Sequence, residues 1–230
     1  MKKSAKIAGI LFLVLSVLDV AFIAFGNETV PLYIKPLLMP SLALTVLLQY
    51  LPEIKDSQLW LLIVGLYFHC MGDVLLMFDS KDIIYFALGL GAFLIGHCFY
   101  LTLLFQGLGG FRSFKEFLIV AVPVILAPVL TGLFGVKWPM SAAVVVYAYT
   151  LMVVTGVGLL WKMRGREFWR RIFFGGLLFI ISDGMLALNA FAGITFPFRH
   201  ALVMLTYLAA EWLLVSGMMR NTLSSRNPKA

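Results

Sequence analysis

The sequence predicts an all-α integral membrane protein, a polytopic bundle of eight transmembrane helices with both termini in the cytoplasm. Three observations predict it: the apolar composition, eight long apolar runs, and the uneven distribution of Lys and Arg between the connecting segments. Of the 230 residues, 62% are hydrophobic and 13% are charged, whereas soluble domains are about 45–50% apolar and about 25% charged. A water-soluble fold of this size could not bury so much apolar surface. The composition therefore excludes a soluble domain, a disordered chain and a soluble nucleic-acid-binding protein, so no nucleic-acid partner is expected.

Eight apolar runs follow one another, each bounded by charged or turn-forming residues. A transmembrane helix needs about 20 apolar residues, so eight would occupy roughly 160 positions and leave no room for a soluble domain. Residues 1–230 are therefore predicted to form a single transmembrane helical domain. The first run is too long for the apolar region of a signal peptide and is interpreted as the first span. The predicted spans lie near residues 7–25, 32–51, 59–78, 83–105, 114–134, 139–161, 171–193 and 198–219.

Lys and Arg are distributed unevenly between the segments that join the runs. Of the 18 Lys and Arg residues, three (Lys81, Lys137 and Arg199) fall on one side of the predicted membrane, Lys35 lies inside the second run, and the remaining 14 fall on the other side. Cytoplasmic loops carry the excess of Lys and Arg, so both termini are predicted to be cytoplasmic. The net charge of +7 is then mainly a topology signal, and binding of anionic head groups by residues 162–171 is the alternative.

A faint internal repeat links the third and seventh runs. Two apolar helices share some residues by chance, which is one explanation. A 4+4 pseudo-repeat from an ancestral duplication is the other, because an offset of four spans keeps both helices in the same direction. The repeated residues are Gly65, Asp73 and Leu76, which correspond to Gly175, Asp183 and Leu186.

Ionisable residues inside the runs are the strongest functional signal. Each costs roughly 2.5–3.5 kcal/mol in the hydrocarbon region, so each requires a partner or a function. Counting along the runs places most of them in the outer half of the bundle, with Asp19 near the water interface and solvated. This group comprises Asp19, Lys35, His69, Asp73, His97, Asp183 and Glu211.

Asp73 and Asp183 are the candidate catalytic pair. A structural role, with Asp73 paired to Lys35, is one interpretation. The other is acid-base chemistry, in which one buried carboxyl group holds a proton and its partner is ionised. Ser182 precedes Asp183, and Asn189 lies seven residues later on roughly the same helix side.

Two other residue types inside the runs have simpler explanations. His97 is equally consistent with a hydrogen bond to a neighbouring helix and with a site role. Cys70 and Cys98 are predicted to be small buried packing residues, because their spacing fits neither a disulfide framework nor a zinc ribbon.

Short motifs in the order of the spans resemble those of the YhhN-like lysoplasmalogenases, which are multispanning membrane hydrolases. Each motif is unspecific by itself, and the order across the chain makes the resemblance specific. The last motif departs from the family, because Ala210 occupies the position of a Gln and Glu211 follows it. The matching residues are Lys35-Pro36, Gly72-Asp73 with Leu75-Leu76, His97 with Tyr100, Ser182-Asp183 with Leu186-Ala187, and Tyr207.

The resemblance implies hydrolysis of the vinyl ether bond of a lysoplasmalogen, giving a fatty aldehyde and a glycerophospho-alcohol. It implies a lysophospholipid substrate and surrounding membrane lipid as partners, no cofactor and no metal, and a location in a bacterial inner membrane. Asp73 and Asp183 would be catalytic. The residues for substrate binding or proton relay would be Lys35, His97, Tyr100, Ser182, Asn189 and Tyr207.

Two other functions fit the same residues. A metal-dependent intramembrane lipid hydrolase could use His69, Asp73 and His97, because zinc accepts imidazole and carboxylate ligands. A small polytopic transporter would explain a 4+4 repeat with buried charges. The oligomeric state, the head-group preference and the identity of the acid are left open.

Overall fold

The computed structural model describes residues 2–27, 29–51, 58–79, 82–106 and 108–226, with side chains described as far as residue 222. These ranges form helices and contain no β-strand, which confirms the all-α fold class. Helix α4 spans the predicted run 83–105, whereas α8 continues to Arg226, beyond the predicted end at residue 219. The helices are α1 (Lys3–Ala24), α2 (Thr29–Tyr50), α3 (Trp60–Leu76), α4 (Ile83–Phe105), α5 (Phe114–Leu133), α6 (Met140–Met163), α7 (Trp169–Ala192) and α8 (Arg199–Arg226).

The helices are built to be solvated by lipid. In the described ranges seven are long and apolar enough to cross a membrane, and the shorter apolar helix is α3, with 17 residues. That length is at the lower end of the range of about 17–25 residues needed for a span. Large apolar side chains point outward, among them Val17, Ile125 and Leu133, which are 68%, 69% and 75% exposed. The prediction of a polytopic helical membrane bundle is confirmed.

The chain divides into two compact units. The first comprises Met1–Tyr100 with His200–Leu205, and the second comprises Leu101–Arg199 with Thr206–Ala230. In the first unit α1 packs on α2 and α2 packs on α3; in the second unit α5 packs on α6 and α6 packs on α7. The division falls at the end of α4, and the 4+4 pseudo-repeat and the single domain stay predictions.

Helices α3 and α4 approach closely in the first unit because glycines alternate with large rings. A Cβ atom on Gly65 would lie 2.6 Å from the Tyr100 ring, and one on Gly96 would clash with the imidazole of His69. Small residues of this kind let membrane helices come together closely. The packing fixes the position of the rings that α3 and α4 contribute.

Helix α2 has two prolines in its interior, Pro36 and Pro40, and α3 compensates for the donor that Pro40 lacks. Pro40 has no N–H to donate to the carbonyl four residues earlier, which belongs to Pro36. The Sγ–H of Cys70 donates to that carbonyl oxygen at 3.6 Å. The motif around Lys35 is therefore joined to α3 close to Asp73.

The prediction that both cysteines are buried packing residues is wrong. Cys70 is only partly buried and Cys98 is exposed. Gly96 and His97 turn towards α3, and each further residue rotates about 100° around the helix axis. Cys98 therefore lies on a different face of α4, which the apolar run alone does not reveal.

In the second unit, glycines of α6 and α7 again permit close approach. A Cβ on Gly158 would lie 2.6 Å from the Cα of Phe173, and a Cβ on Gly175 would lie 2.9 Å from Leu214 of α8. Helix α7 is thereby held against both α6 and α8. This arrangement fixes the rotation of α7 and with it the direction of Asp183.

An ion pair stabilises one end of the second unit. The Arg164 guanidinium donates to both Glu116 carboxylate oxygens, at 3.1 and 2.7 Å, and also to the carbonyls of Leu108 and Gly110. Both side chains of the pair are nearly inaccessible, 6% and 4% exposed. The bond to Glu116 raises the pKa of Arg164, so its charge is permanent. This ion pair holds the segment between α4 and α5 against the end of α6.

Candidate functional site

The polar group of the first unit is a cluster of rings between α3 and α4. His69 lies 4.6 Å from His97 and 4.8 Å from Tyr100, measured between ring centroids. All three rings are fully buried, and Asp73, one turn after His69 on α3, is 7% exposed. Three of the predicted site residues, Asp73, His97 and Tyr100, therefore lie on α3 and α4 of the unit that also contains Lys35. His69 joins the three on α3 and α4.

The hydrogen bond of His97 determines which ring nitrogen carries the proton. Its Nδ1 lies 2.9 Å from the carbonyl oxygen of Phe93. A carbonyl oxygen only accepts, so Nδ1 carries the hydrogen, and Nε2 of the neutral ring is a proton acceptor. The described hydrogen bond of His97 is therefore made within its own helix, and the site role stays a prediction.

Asp19 of α1 is not solvated, contrary to the prediction. It is fully buried, and neither carboxylate oxygen has a hydrogen-bond partner among the described residues. Its electrostatic partner is Lys35 of α2, which is partly buried. Position along the helix axis predicted the depth of Asp19 but not the direction of its side chain.

The polar group of the second unit is centred on Asp183. The Tyr147 hydroxyl of α6 donates to Oδ2 of Asp183, and Glu211 of α8 is close enough to interact electrostatically with the same carboxyl group. Asp183 itself is partly buried, and Glu211 is fully buried. The result is a carboxyl group held from one side by a phenol and faced by a second acid.

The remaining predicted residues of the second unit lie on α7 and α8. Ser182 and Tyr207 are 1% and 4% exposed, and Asn189 is partly buried. The Tyr207 ring stands perpendicular to that of Phe179, with centroids 5.4 Å apart and an angle of 88°. Tyr207 is therefore a fixed part of the α7–α8 packing.

The metal-dependent alternative requires a set of ligands. Across the described parts of the chain, no group of three or more His, Cys, Asp or Glu side chains is arranged to hold a metal ion. The rings of His69 and His97 face each other, so the two residues are packing neighbours in the ring cluster. The side chains of the two polar groups, as they are arranged, can perform acid-base chemistry.

Comparison with known proteins identifies the family. The model of the YhhN family matches residues 30–218. The chain belongs to the YhhN family. The chain is also 29% identical over 166 residues to lysoplasmalogenase TMEM86B of Mus musculus, an alignment that covers 72% of this chain and 66% of that protein. The chain thus spans just under two thirds of the length of this relative. No solved structure gives a significant match.

The YhhN match confirms the resemblance predicted from the motifs. It also separates the residues described above into those inside the matched region and those outside it. Lys35, Asp73, His97, Asp183 and Tyr207 lie inside the matched region, and so does Tyr147, which the motifs did not include. Asp19 lies outside it, in α1. Asp19 stands out in the sequence because a carboxyl group inside a span is unusual. A single Tyr in an apolar run, such as Tyr147, does not stand out in this way.

Proposed function

We propose that this YhhN-family protein is a lysoplasmalogenase, an intramembrane hydrolase that converts a lysoplasmalogen to a fatty aldehyde and a glycerophospho-alcohol. The main support is the likeness to the mouse lysoplasmalogenase. The buried carboxyl groups add chemical support, because a vinyl ether needs a proton donor and a carboxylate in apolar surroundings. The substrate is a membrane lipid, and the proposed location is the bacterial inner membrane.

The reaction consumes one water. The acid transfers a proton to the vinyl carbon that is not attached to oxygen, and the resulting oxocarbenium ion captures water at the carbon that is attached to oxygen. A base takes the proton released by that water. The hemiacetal then collapses to the aldehyde and the alcohol. The roles resemble those of the two carboxyl groups in glycoside hydrolysis.

Asp73 and Asp183 are the proposed acid and base. Asp183 is supported by its hydrogen bond from Tyr147, which orients the carboxyl group. Asp73 is supported by its burial one turn from His69. His97, with an acceptor Nε2, and Tyr100 are proposed to relay protons or to orient water.

The head group is proposed to bind at Lys35. Its ammonium group suits a phosphate, and Asp19 supplies a nearby negative charge. Ser182, Asn189 and Tyr207 are proposed to contact substrate or water near Asp183. The alkenyl chain would lie among the apolar side chains of the helices.

The direct test uses purified protein in detergent with two substrates, a lysoplasmalogen and the matching ester lysophospholipid. Aldehyde is expected from the first and no free fatty acid from the second. Asp73→Asn and Asp183→Asn are each expected to reduce aldehyde release by about 10²–10⁴-fold, the usual contribution of a general acid or base. The double variant should lose little more than either single variant if the two groups act in one reaction.

Asp79→Asn is the matched control, because Asp79 is exposed, and it should keep the wild-type rate. Wild-type release of aldehyde by both single variants, with the proteins still folded, would refute the mechanism. Loss of activity with strong chelators would favour the metal-dependent hydrolase. Solute uptake into liposomes without lipid turnover would favour the transporter.

A further inference from the structure

Three arginines converge on the last turns of α8, at the end of the second unit where α6 ends and α7 begins. Arg171, in the first turn of α7, donates from Nη1 to Ser216 Oγ at 2.7 Å. Arg166, between α6 and α7, donates to Asn221 Oδ1 at 3.4 Å. Arg220 lies one helical turn after Ser216 on α8, so it shares a face with Ser216. Arg166, Arg171 and Arg220 are called the arginine cluster below.

The arginine cluster has neutral partners where carboxylates would be expected. Its hydrogen bonds go to a hydroxyl, a side-chain amide and the carbonyl of Gln106, and within the described residues none of its members forms a salt bridge. Like charges face each other instead: Arg171 interacts with Arg220, and Arg166 interacts with Arg164. Burial and the charge of Arg164 both lower the pKa of Arg166. The nearby acid Glu116 is already committed to Arg164.

Close packing holds these arginines in place. A Cβ on Gly217 would lie 3.0 Å from the Cβ of Arg171, so the start of α7 and the end of α8 are nearly in contact. Arg171 and Arg166 are partly buried, whereas Arg220 is exposed. Packing holds the charge of Arg171 beside that of Arg220, and a bound anion would offset both charges.

The aromatic neighbours place the cluster at the membrane surface. Arg166 stacks over Trp161 with its guanidinium carbon 5.1 Å from the ring centroid, and Arg220 lies 6.0 Å from that of Phe168. Lys162 and Arg170 flank Trp169 at 4.9 and 5.5 Å. Trp is enriched where membrane helices meet the head groups, and basic pockets between helices on the cytoplasmic side bind anionic lipid head groups.

We propose that the arginine cluster binds the phosphate of an anionic phospholipid of the surrounding membrane, with Arg171 and Arg220 as the main contacts. Guanidinium groups match phosphate oxygens two at a time, and Ser216 already orients one of them. Asp183 lies 12 residues further along α7, about 18 Å away along the helix axis. The lipid site is therefore separate from the proposed catalytic residues and does not depend on the proposed function.

The test is a thermal-unfolding titration of the full chain in neutral detergent. Added phosphatidylglycerol is expected to raise the Tm, because a ligand that binds only the folded state stabilises it, whereas phosphatidylcholine is expected to leave the Tm unchanged. Arg171→Gln/Arg220→Gln should weaken the apparent Kd for phosphatidylglycerol by about 10- to 100-fold. Arg171→Lys/Arg220→Lys keeps the charge, folds with less perturbation, and should give an intermediate Kd.

Lys115→Gln/Lys137→Gln is the matched control, because it removes the same charge from two exposed positions outside residues 162–171 and should bind phosphatidylglycerol as the wild type does. Three results would overturn the proposal. They are no stabilisation of the wild type by phosphatidylglycerol, unchanged binding by both arginine variants, and equal stabilisation by inorganic phosphate at the same concentration. The last result would assign the cluster to free phosphate instead of a lipid.

Discussion

Asp73 of α3 and Asp183 of α7 occupy corresponding positions in the predicted internal repeat, yet their described surroundings differ. Asp183 is held by a direct hydrogen bond from Tyr147 on the neighbouring helix. Asp73 lies one turn after His69, whose ring packs with those of His97 and Tyr100. A phenol on the neighbouring helix therefore orients Asp183, whereas Asp73 follows a packed cluster of rings.

Both arrangements hold a carboxyl group in place, which general acid-base catalysis requires. Hydrogen bonding and packing also respond differently to substitution, so the two arrangements can be tested separately.

The largest effect on kcat is expected when the hydrogen bond from Tyr147 to Asp183 is removed. Tyr147→Phe keeps the ring and removes the hydroxyl, so Asp183 loses its donor. A hydrogen bond to a charged group contributes about 1.5–3 kcal/mol, and kcat for aldehyde release should fall about 10- to 100-fold, with KM changed less than kcat.

Tyr149→Phe is the control for Tyr147, because it makes the same change on the same helix at a hydroxyl without a described hydrogen bond. It should behave as the wild type. A Tyr147→Phe protein with an unchanged kcat would show that Asp183 does not depend on the phenol.

A smaller effect is expected at His97, and two substitutions separate its possible roles. Asn can reproduce the Nδ1–H donor to Phe93 but has no counterpart of Nε2, whereas Gln reproduces the position of Nε2 and loses the donor. If Nε2 relays protons, His97→Asn should lower kcat about tenfold and leave the Tm nearly unchanged. His97→Gln should lower kcat as well, because an amide cannot take up a proton, and should also lower the Tm because the donor to Phe93 is lost. An unchanged kcat in both variants would identify His97 as a structural residue.

The smallest effect is expected in the packing between α3 and α4. Gly96→Ala introduces a methyl group into the His69 ring, and such overpacking costs about 1–3 kcal/mol. Gly91→Ala is the control on the same helix, because nothing lies within 4 Å of a Cβ at Gly91. It should be neutral or slightly stabilising, since Ala is the better helix former. Equal Tm values for the two variants would contradict the packing argument.

The apolar runs were sufficient to predict the helices, because the need to match the membrane thickness leaves little freedom in their length. Helix α4 was predicted to the residue, and α8 was predicted too short because its polar last turns leave the apolar run. Asp73 and Asp183 were singled out because charge in a span is conspicuous. The hydrogen-bond partner of Asp183 was not, because Tyr147 is identified only by the rotation of α6 relative to α7.

Asp19 illustrates the same limit. A rise of 1.5 Å per residue converts position into depth but carries no information on which neighbours cover a side chain. The nearly uniform apolar character of α1 removes the amphipathic pattern from which a buried face is usually predicted. Burial of Asp19 against the charge of Lys35 therefore emerges only from the packed structure.

The ion pair between Arg164 and Glu116 also constrains how the protein is made. The carbonyls of Leu108 and Gly110 and the carboxylate of Glu116 leave the ribosome about 50 residues before the guanidinium that binds them. Until α6 has been synthesised and inserted, water must solvate these groups. The start of α5 can therefore be fixed against the end of α6 only after Arg164 has been translated.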